Sequence, residues 1–267
     1  MRENFYLFAD EEELQRESSV RQKCLYGSTD TRDHDLADKL HYCNKLGSGG
    51  NRKPCGSPAC PHCVERYKKW IMEEAKVVFV EDAGLLFVTV LLLNRRMTDE
   101  EVMKFDPKQM HNSFGKQLRR AGIRGPFLGC LEMDYNMESE SWLPHYHLVM
   151  MGSDAKQIEV LRKRFYCIGG VGATNNTAGG RQLLVRETNG ISRQLSYTFK
   201  FRWSRIEGYF SPTSNRHRTW KYRLNATRQR LALRTLDRIG FNGFLFLYGL
   251  RRTGNKIVKL PVIEKNG

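Results

Sequence analysis

The run Gly125–Met151, GPFLGCLEMDYNMESESWLPHYHLVMM, decides how this chain is read. Two apolar stretches flank the polar MESESW, as the strands of a hairpin would. Side chains alternate between faces along a strand, so His145 and His147 project to one side and Tyr146 to the other. Glu132 and Asp134 are likewise two residues apart and share one face of the first strand. One carboxylate reaching both imidazoles makes a two-histidine, one-carboxylate site with open positions. That donor mix suits Mg²⁺ or Mn²⁺ as a Lewis acid. Glu132 is the expected third ligand because its longer side chain spans the gap of about 4.8 Å between strands more easily; Asp134 is the alternative. For an arbitrary His-x-His pair, two solvated imidazoles on an edge strand are the commoner outcome, so the rest of the chain must decide.

Outward from the hairpin, LLFVTVLLL (85–93) reads as a buried strand. Asp99–Ala121 reads as a helix capped by Thr98 and stopped by Gly122, or, with Pro107 inside it, as a turn and then a helix from Pro107. AKQIEVLRKRFY (155–166) is an amphipathic helix, GGVGATNNTAGG (169–180) a loop, RQLLVRE (181–187) a strand and ISRQLSYTFKFRW (191–203) a helix. The order β-α-β-β-α-β plus a helix predicts an α+β fold, the ferredoxin-like split βαβ. Its central sheet is expected to be antiparallel, with helices on one face and a site on the other. Beyond it, Arg216–Arg238 is basic and helical in pattern, and FLFLYGL (244–250) reads as a last strand. The chain thus divides into a polar, loosely packed N-terminal arm (1–40), a cysteine-rich module with a basic helix (41–80), a core domain (81–210) and a basic C-terminal helix with a final strand (211–267).

Lys and Arg number 44 against 29 acidic residues in 267, a net charge of +15. Such an excess predicts a polyanionic partner, nucleic acid or an anionic membrane surface. No apolar run reaches spanning length and Met1–Leu7 lacks a signal-peptide core, so nucleic acid is the expected partner and a membrane is not. Seven cysteines without an export signal imply a reducing compartment. There, clustered cysteines more often bind metal than form disulfides. Cys43, Cys55, Cys60 and Cys63 cluster in CNKLGSGGNRKPCGSPACPHC, the last two as a C-x-x-C knuckle. Four thiolates predict a closed, structural zinc site, with His41 or His62 as substitutes for one of them and Cys24 as a distant reserve. Cys130 and Cys167 read as core residues.

In SYTFK, Tyr197 and Lys200 are three apart and on a helix would share a face. A tyrosine hydroxyl is a poor nucleophile, with a pKa near ~10. A metal-polarised phosphate with an ammonium beside it makes its attack on phosphorus feasible. A Tyr and a Lys one turn apart are common, and the pair gains weight only from its company.

Together the parts resemble the HUH endonucleases, most closely the plasmid and phage rolling-circle replication initiators with a single catalytic tyrosine. The resemblance runs from Cys43 to about Trp203 and rests on the strand containing Thr89, LEMDYN, PHYHLVM, SYTFK and the upstream CGSPACPHCVERYKKW. It implies the HUH endonuclease fold, His145 and His147 as metal ligands with Glu132 at the family's acidic strand position, Tyr197 as nucleophile and Lys200 as its helper. It implies nicking of single-stranded or hairpin origin DNA, a covalent 5′-phosphotyrosine, a free 3′-OH for a polymerase, and later rejoining. The GxxxxGK[ST] pattern is absent, so an ATP-driven motor is another protein; a host helicase and polymerase are the implied partners, and the cytoplasm of a bacterial host the implied compartment.

A transposase or relaxase would use the same chemistry. A non-enzymatic nucleic-acid-binding sheet would instead carry exposed aromatics on its central strands. The chain departs from the family's patterns in two places. Where some initiators carry a glutamate one turn before the tyrosine, it has Arg193 beside Gln194, and the nearest upstream acid is Glu187. Tyr166, Tyr209 and Tyr222 form no close second-tyrosine motif. The basic C-terminal helix is expected to follow phosphates, with Trp203, Trp220 and Tyr222 stacking on unpaired bases.

Overall fold

The computed structural model describes residues 8–43, 53–79, 84–152, 155–168, 182–188, 191–211 and 215–261. Helices α1 (Glu11–Tyr26), α2 (Thr31–His41) and α3 (Pro61–Val78) precede strand β1 (Leu85–Leu91). Then come α4 (Asp99–Lys104), α5 (Pro107–Arg120), β2 (Phe127–Asn136), β3 (Ser141–Met151), α6 (Ala155–Ile168), β4 (Leu183–Thr188) and α7 (Ile191–Thr198). The chain continues with β5 (Arg205–Ser211), β6 (Arg216–Tyr222), α8 (Ala226–Phe244), β7 (Leu245–Tyr248), β8 (Leu250–Thr253) and β9 (Lys256–Lys259). The glycine-rich loop at 169–180 and the loop following Cys43 lie outside the described residues, as does the Cys167 side chain.

The fold is α+β around a curled sheet ordered β4-β1-β3-β2-β5-β6, with β7 also on β2. β1 pairs antiparallel with β3 and β4, and β2 antiparallel with β3. The expectation of a purely antiparallel sheet needs correcting, because β5 joins β2 in parallel at Tyr135 and Asn136. The segment after α7 runs along the edge of β2, where the Tyr135 N–H donates to the Ser204 carbonyl at 2.8 Å, and so delivers β5 in the same direction as β2. β2 and β3 are buried along nearly their whole length. On the Tyr146 face, the Phe114 ring of α5 stacks on Tyr146 at 4.7 Å, and His111 Nδ1 lies 2.9 Å from the Tyr146 hydroxyl. On the opposite face α7 packs against β3 and β2, with α3 behind it.

Two local signals carry the central helices. Thr98 and Glu101 form a capping box for α4, and Asp106 caps α5 with Pro107 in its first turn. The span 99–121 is therefore two helices, broken at Phe105–Asp106, and Gly122 ends the second with φ 77°.

Residues 8–40 are not a loosely packed arm but a helical pair. Asp10 and Glu13 make a capping box for α1, and Asp30 caps α2. Leu25, Leu36, Ala37 and Leu40 are buried and belong to the same core as the sheet. Arg21 is buried and donates to the Ala59 carbonyl at 2.9 Å, tying α1 to the cysteine segment. Arg234 of α8 reaches Asp30 at 2.7 Å and Asp33 at 3.3 Å. Among the described residues no helix is long and apolar enough to cross a membrane.

Glu17 lies 2.9 Å from Arg21 and 2.7 Å from Arg223. Burial pushes its carboxyl up, but the two guanidiniums outweigh this and hold it at about 2. A carboxyl depressed by folding stabilises above its unfolded value near ~4.3, and that contribution fades as pH falls toward the folded value. Glu17→Gln is expected to destabilise at pH 7 on the order of 2 kcal/mol. In denaturant titrations the gap between the two proteins should close as pH drops from ~4.5 toward ~2. A gap that stays constant with pH would assign the effect to packing.

The last segment differs from its expected helix. Arg216–Tyr222 is strand β6 against β5, because Thr219, Trp220 and Tyr222 are strand formers and the hairpin supplies a partner. The helix starts only at Ala226, after the Asn225 cap. β7 is shorter than FLFLYGL, and Gly249, at φ 65°, turns the chain into the β8–β9 hairpin.

Candidate metal centres and active site

In the register of β2 against β3, Glu132 stands opposite His145 and Cys130 opposite His147, while Thr89 of β1 stands opposite His147 from the other side. All three candidate ligands are therefore on one face of two central strands, and all are buried. Glu132 Oε2 is 3.7 Å from His145 Nε2 and 3.6 Å from His147 Nε2. Two donors each about 2.0–2.2 Å from a shared ion lie about 2.8–3.6 Å apart, so both pairs stand at or just beyond the upper end of that range and one cation would draw them inward by some tenths of an ångström. Glu132 Oε1 and His147 Nε2 are buried with no hydrogen-bond partner, the condition of atoms that await a ligand.

The outer nitrogens are anchored. His145 Nδ1 is 3.2 Å from the Leu143 carbonyl, and His147 Nδ1 is 3.0 Å from Thr89 Oγ1. With both Nδ1–H groups donating outward, both Nε2 lone pairs face the carboxylate. The Phe87 ring stacks on His147 at 5.6 Å. Gly129 lies under the His147 carbonyl, where any Cβ would overlap it. Burial, and after it the neighbouring His145, Lys200 and Lys221, hold the His147 imidazole well below its ordinary value, so it is neutral at neutral pH.

Asp134 plays a different part. Its Oδ1 accepts the Ser204 N–H at 2.8 Å and its Oδ2 accepts Lys221 Nζ at 2.6 Å, although Oδ2 is also 3.9 Å from His145 Nε2. Burial raises its carboxyl, but His145, Lys221 and Lys200 together bring it below the usual range. Asp134 thus fastens the start of β5 and the end of β6 beside the histidines. Lys221 was not readable from the sequence because β6 reads there as helix.

Tyr197 reaches this face from α7. Leu195, Ser196 and Thr198 are buried while Tyr197 is 45% exposed, its ring 5.1 Å from that of His147. Lys200 is not on the same helix, since α7 ends at Thr198. Phe199 and Phe201 are drawn into contact with Tyr67 of α3, and Phe201 takes φ 44°. The residue between them is turned back toward the sheet. Lys200 Nζ comes 3.2 Å from Glu132 Oε2 and 4.4 Å from the centre of the Tyr197 ring. Burial pulls the Lys200 ammonium down, but Glu132, Tyr197 and Asp134 outweigh it and keep it firmly charged.

The second cluster sits where α3 begins. Cys43, Cys55, Cys60 and Cys63 offer four sulfurs within 4.8 Å of one another, with Cys55 and Cys43 at 3.5 and 3.6 Å from Cys63. A disulfide needs about 2.05 Å, whereas a tetrahedron of Zn–S bonds of about 2.3 Å has edges of about 3.8 Å. The four cysteines can hold a structural zinc, and the three residues on the sheet can hold a second metal. Arg66, one turn after Cys63, donates to Cys63 Sγ at 3.2 Å and Cys43 Sγ at 3.7 Å, setting a positive charge against the thiolates. The suggested substitutes stand elsewhere: His62 lies 3.9 Å from Glu11, and His41 3.3 Å from Gln22. Trp203, expected to meet bases, is buried against Trp142 and Phe244.

No family model, curated protein or solved structure matches this chain.

Proposed function

We propose that this chain is a metal-dependent DNA strand transferase with a tyrosine nucleophile, of the HUH type, which nicks single-stranded origin DNA to start rolling-circle replication. The observation that carries this reading is a half-exposed tyrosine over a buried histidine pair that shares one carboxylate oxygen. The connectivity of β1 to β4, antiparallel in the order β4-β1-β3-β2, agrees with a ferredoxin-like core. The net charge of +15 agrees with a nucleic-acid substrate.

Glu132, His145 and His147 would hold the catalytic Mg²⁺ or Mn²⁺. That ion, when bound, supplies Lewis-acid polarisation of the scissile phosphate. Lys200 offsets negative charge that develops on the phosphoryl oxygens. Arg193, exposed one turn before Tyr197 on α7, is set to guide the strand's phosphates. The Tyr197 hydroxyl oxygen bonds to phosphorus as the bond from phosphorus to the 3′ oxygen breaks. The tyrosine gives up its proton to solvent and the departing 3′ oxygen takes one up. The result is a 5′-phosphotyrosine and a free 3′-OH, and attack by that hydroxyl reverses the step and rejoins the strand.

The test is incubation with a labelled single-stranded origin library and Mn²⁺, followed by denaturing electrophoresis. A metal-dependent covalent adduct is expected; no adduct with any single-stranded substrate would overturn the reading. Glu132→Ala should reduce adduct formation on the order of 10²–10³-fold, more than Asp134→Ala does. The reverse ranking would make Asp134 the third ligand.

A further inference from the structure

We propose that the β5–β6 hairpin is a stacking platform for an unpaired DNA strand, which holds nucleotides flanking the cleavage site. The inference rests on the proposed single-strand activity and adds where the strand is gripped. The hairpin register puts Arg205 opposite Tyr222, Glu207 opposite Trp220 and Tyr209 opposite Arg218, so one face presents three aromatic rings with Arg205 and Arg218 among them, and Glu207 on that face is paired with Arg205 at 2.8 Å. Tyr209 and Trp220 stack at 5.2 Å with 24° between their planes, and the Arg205 guanidinium lies 5.1 Å over the Tyr222 ring. Trp220 is 55% exposed and Tyr222 43%.

An edge strand has its own need for charge, which discourages pairing with other chains. That accounts for Arg218 and Lys221. It does not account for a tryptophan and a tyrosine left open to solvent beside them, since tryptophan is mostly buried in folded proteins. Flat rings between cations are what an unpaired strand requires, because bases stack on the rings while phosphates follow the charges. Duplex DNA, with its bases already stacked, gains only the charges.

The position suits a flanking role. Tyr135 of β2 pairs with Arg205, so the aromatic face belongs to the side of the sheet away from Glu132 and Asp134. Lys221, on the other side of β6, reaches Asp134 beside the histidines at 2.6 Å. A strand bound on the rings therefore needs only to pass the edge of β6 to come alongside the metal site.

Trp220 is also the reporter, since Trp142 and Trp203 are buried and Trp70 is stacked under Arg252 at 4.4 Å. In a Tyr197→Phe background, which prevents cleavage, a mixed-sequence single-stranded 20-mer should quench tryptophan fluorescence. Trp220→Ala should remove that quench and weaken single-strand binding roughly 5- to 150-fold, the range found for one stacked base. A duplex of the same sequence should change less than about twofold, and Trp220→Phe should recover most of the single-strand affinity. Single-strand binding unchanged in Trp220→Ala would overturn the proposal. So would equal losses on single strand and duplex, or a loss that Trp220→Phe does not recover. The two readings fail separately. Adducts on Tyr197 together with Trp220-independent binding would remove only the platform; Trp220-dependent binding without any adduct would remove only the nuclease.

Discussion

Tyr197→Phe is expected to abolish the covalent adduct while fold and DNA affinity stay close to wild type. The substitution keeps the ring, and with it the contact to His147 at 5.1 Å, the edge contact to Phe87 at 6.2 Å and the seat under Lys200 at 4.4 Å. Only the hydroxyl is lost, from a side chain that is half exposed, so stability should move by less than about 0.5 kcal/mol. Without the hydroxyl no bond to phosphorus can form, and the loss should reach the detection limit rather than a fraction of the rate. Lys200→Ala keeps the Tyr197 hydroxyl and is expected to slow cleavage about 10²–10³-fold. It also leaves the Glu132 carboxylate buried without its cation, so the metal-free variant should melt lower and recover on adding Mn²⁺. Tyr166→Phe, Tyr209→Phe and Tyr222→Phe should each retain the adduct. Peptide mapping that puts the nucleotide on any residue but Tyr197 would refute the role of α7.

The same residues explain what could be read in the sequence. The alternation of Tyr146 with His145 and His147 is a local property of a strand, and the register of β3 against β2 puts Glu132 across from His145. Thr98, Pro107 and Gly122 likewise mark helix ends through their own backbone preferences. Lys200 meets Tyr197 for a reason that spacing does not contain: α7 stops early, and two phenylalanines that flank the lysine are claimed by Tyr67, a residue far away in sequence. The helices α1 and α2 were obscured by their charges, although Asp10 with Glu13 already gave a capping signal and Leu36 with Leu40 a helical stripe. β6 was obscured for the opposite reason. Its cations suit an exposed helix, and only pairing with β5 makes it a strand. Lys221, which fixes Asp134, could not be assigned until that pairing was known.

Stripping the metal from the cysteine cluster should disable the distant tyrosine as well as the cluster itself. Freshly purified protein is expected to hold about one zinc per chain that survives mild chelation, and Cys63→Ser should lose it. Cys63 lies in the first turn of α3, three residues after the Cys60 cap, so the cluster fixes where that helix starts. Farther along α3, Tyr67 stacks on Phe241 at 4.3 Å and touches Phe199 and Phe201, the residues that turn Lys200 toward Glu132. Losing the cluster should therefore loosen α3 and misplace Lys200 and Tyr197 together. Without a divalent ion the neighbouring sulfurs and burial push the Cys55 and Cys60 thiols up, so they hold their protons, and the cluster is left with weak contacts among its sulfurs and to Arg66 in place of four metal bonds. Cys63→Ser should melt far below wild type and form little adduct even in excess Mn²⁺, whereas Cys24→Ser, outside the cluster, should keep both zinc and activity. Zinc in free solution binds small cysteine-rich peptides with about 10–16 kcal/mol, so even a modest share spent on seating α3 is comparable to the whole stability of a domain. Elemental analysis, thermal melts and the adduct assay on the same preparations decide it: protein without zinc that still melts cooperatively and forms adduct would show that the cysteines do not organise the site.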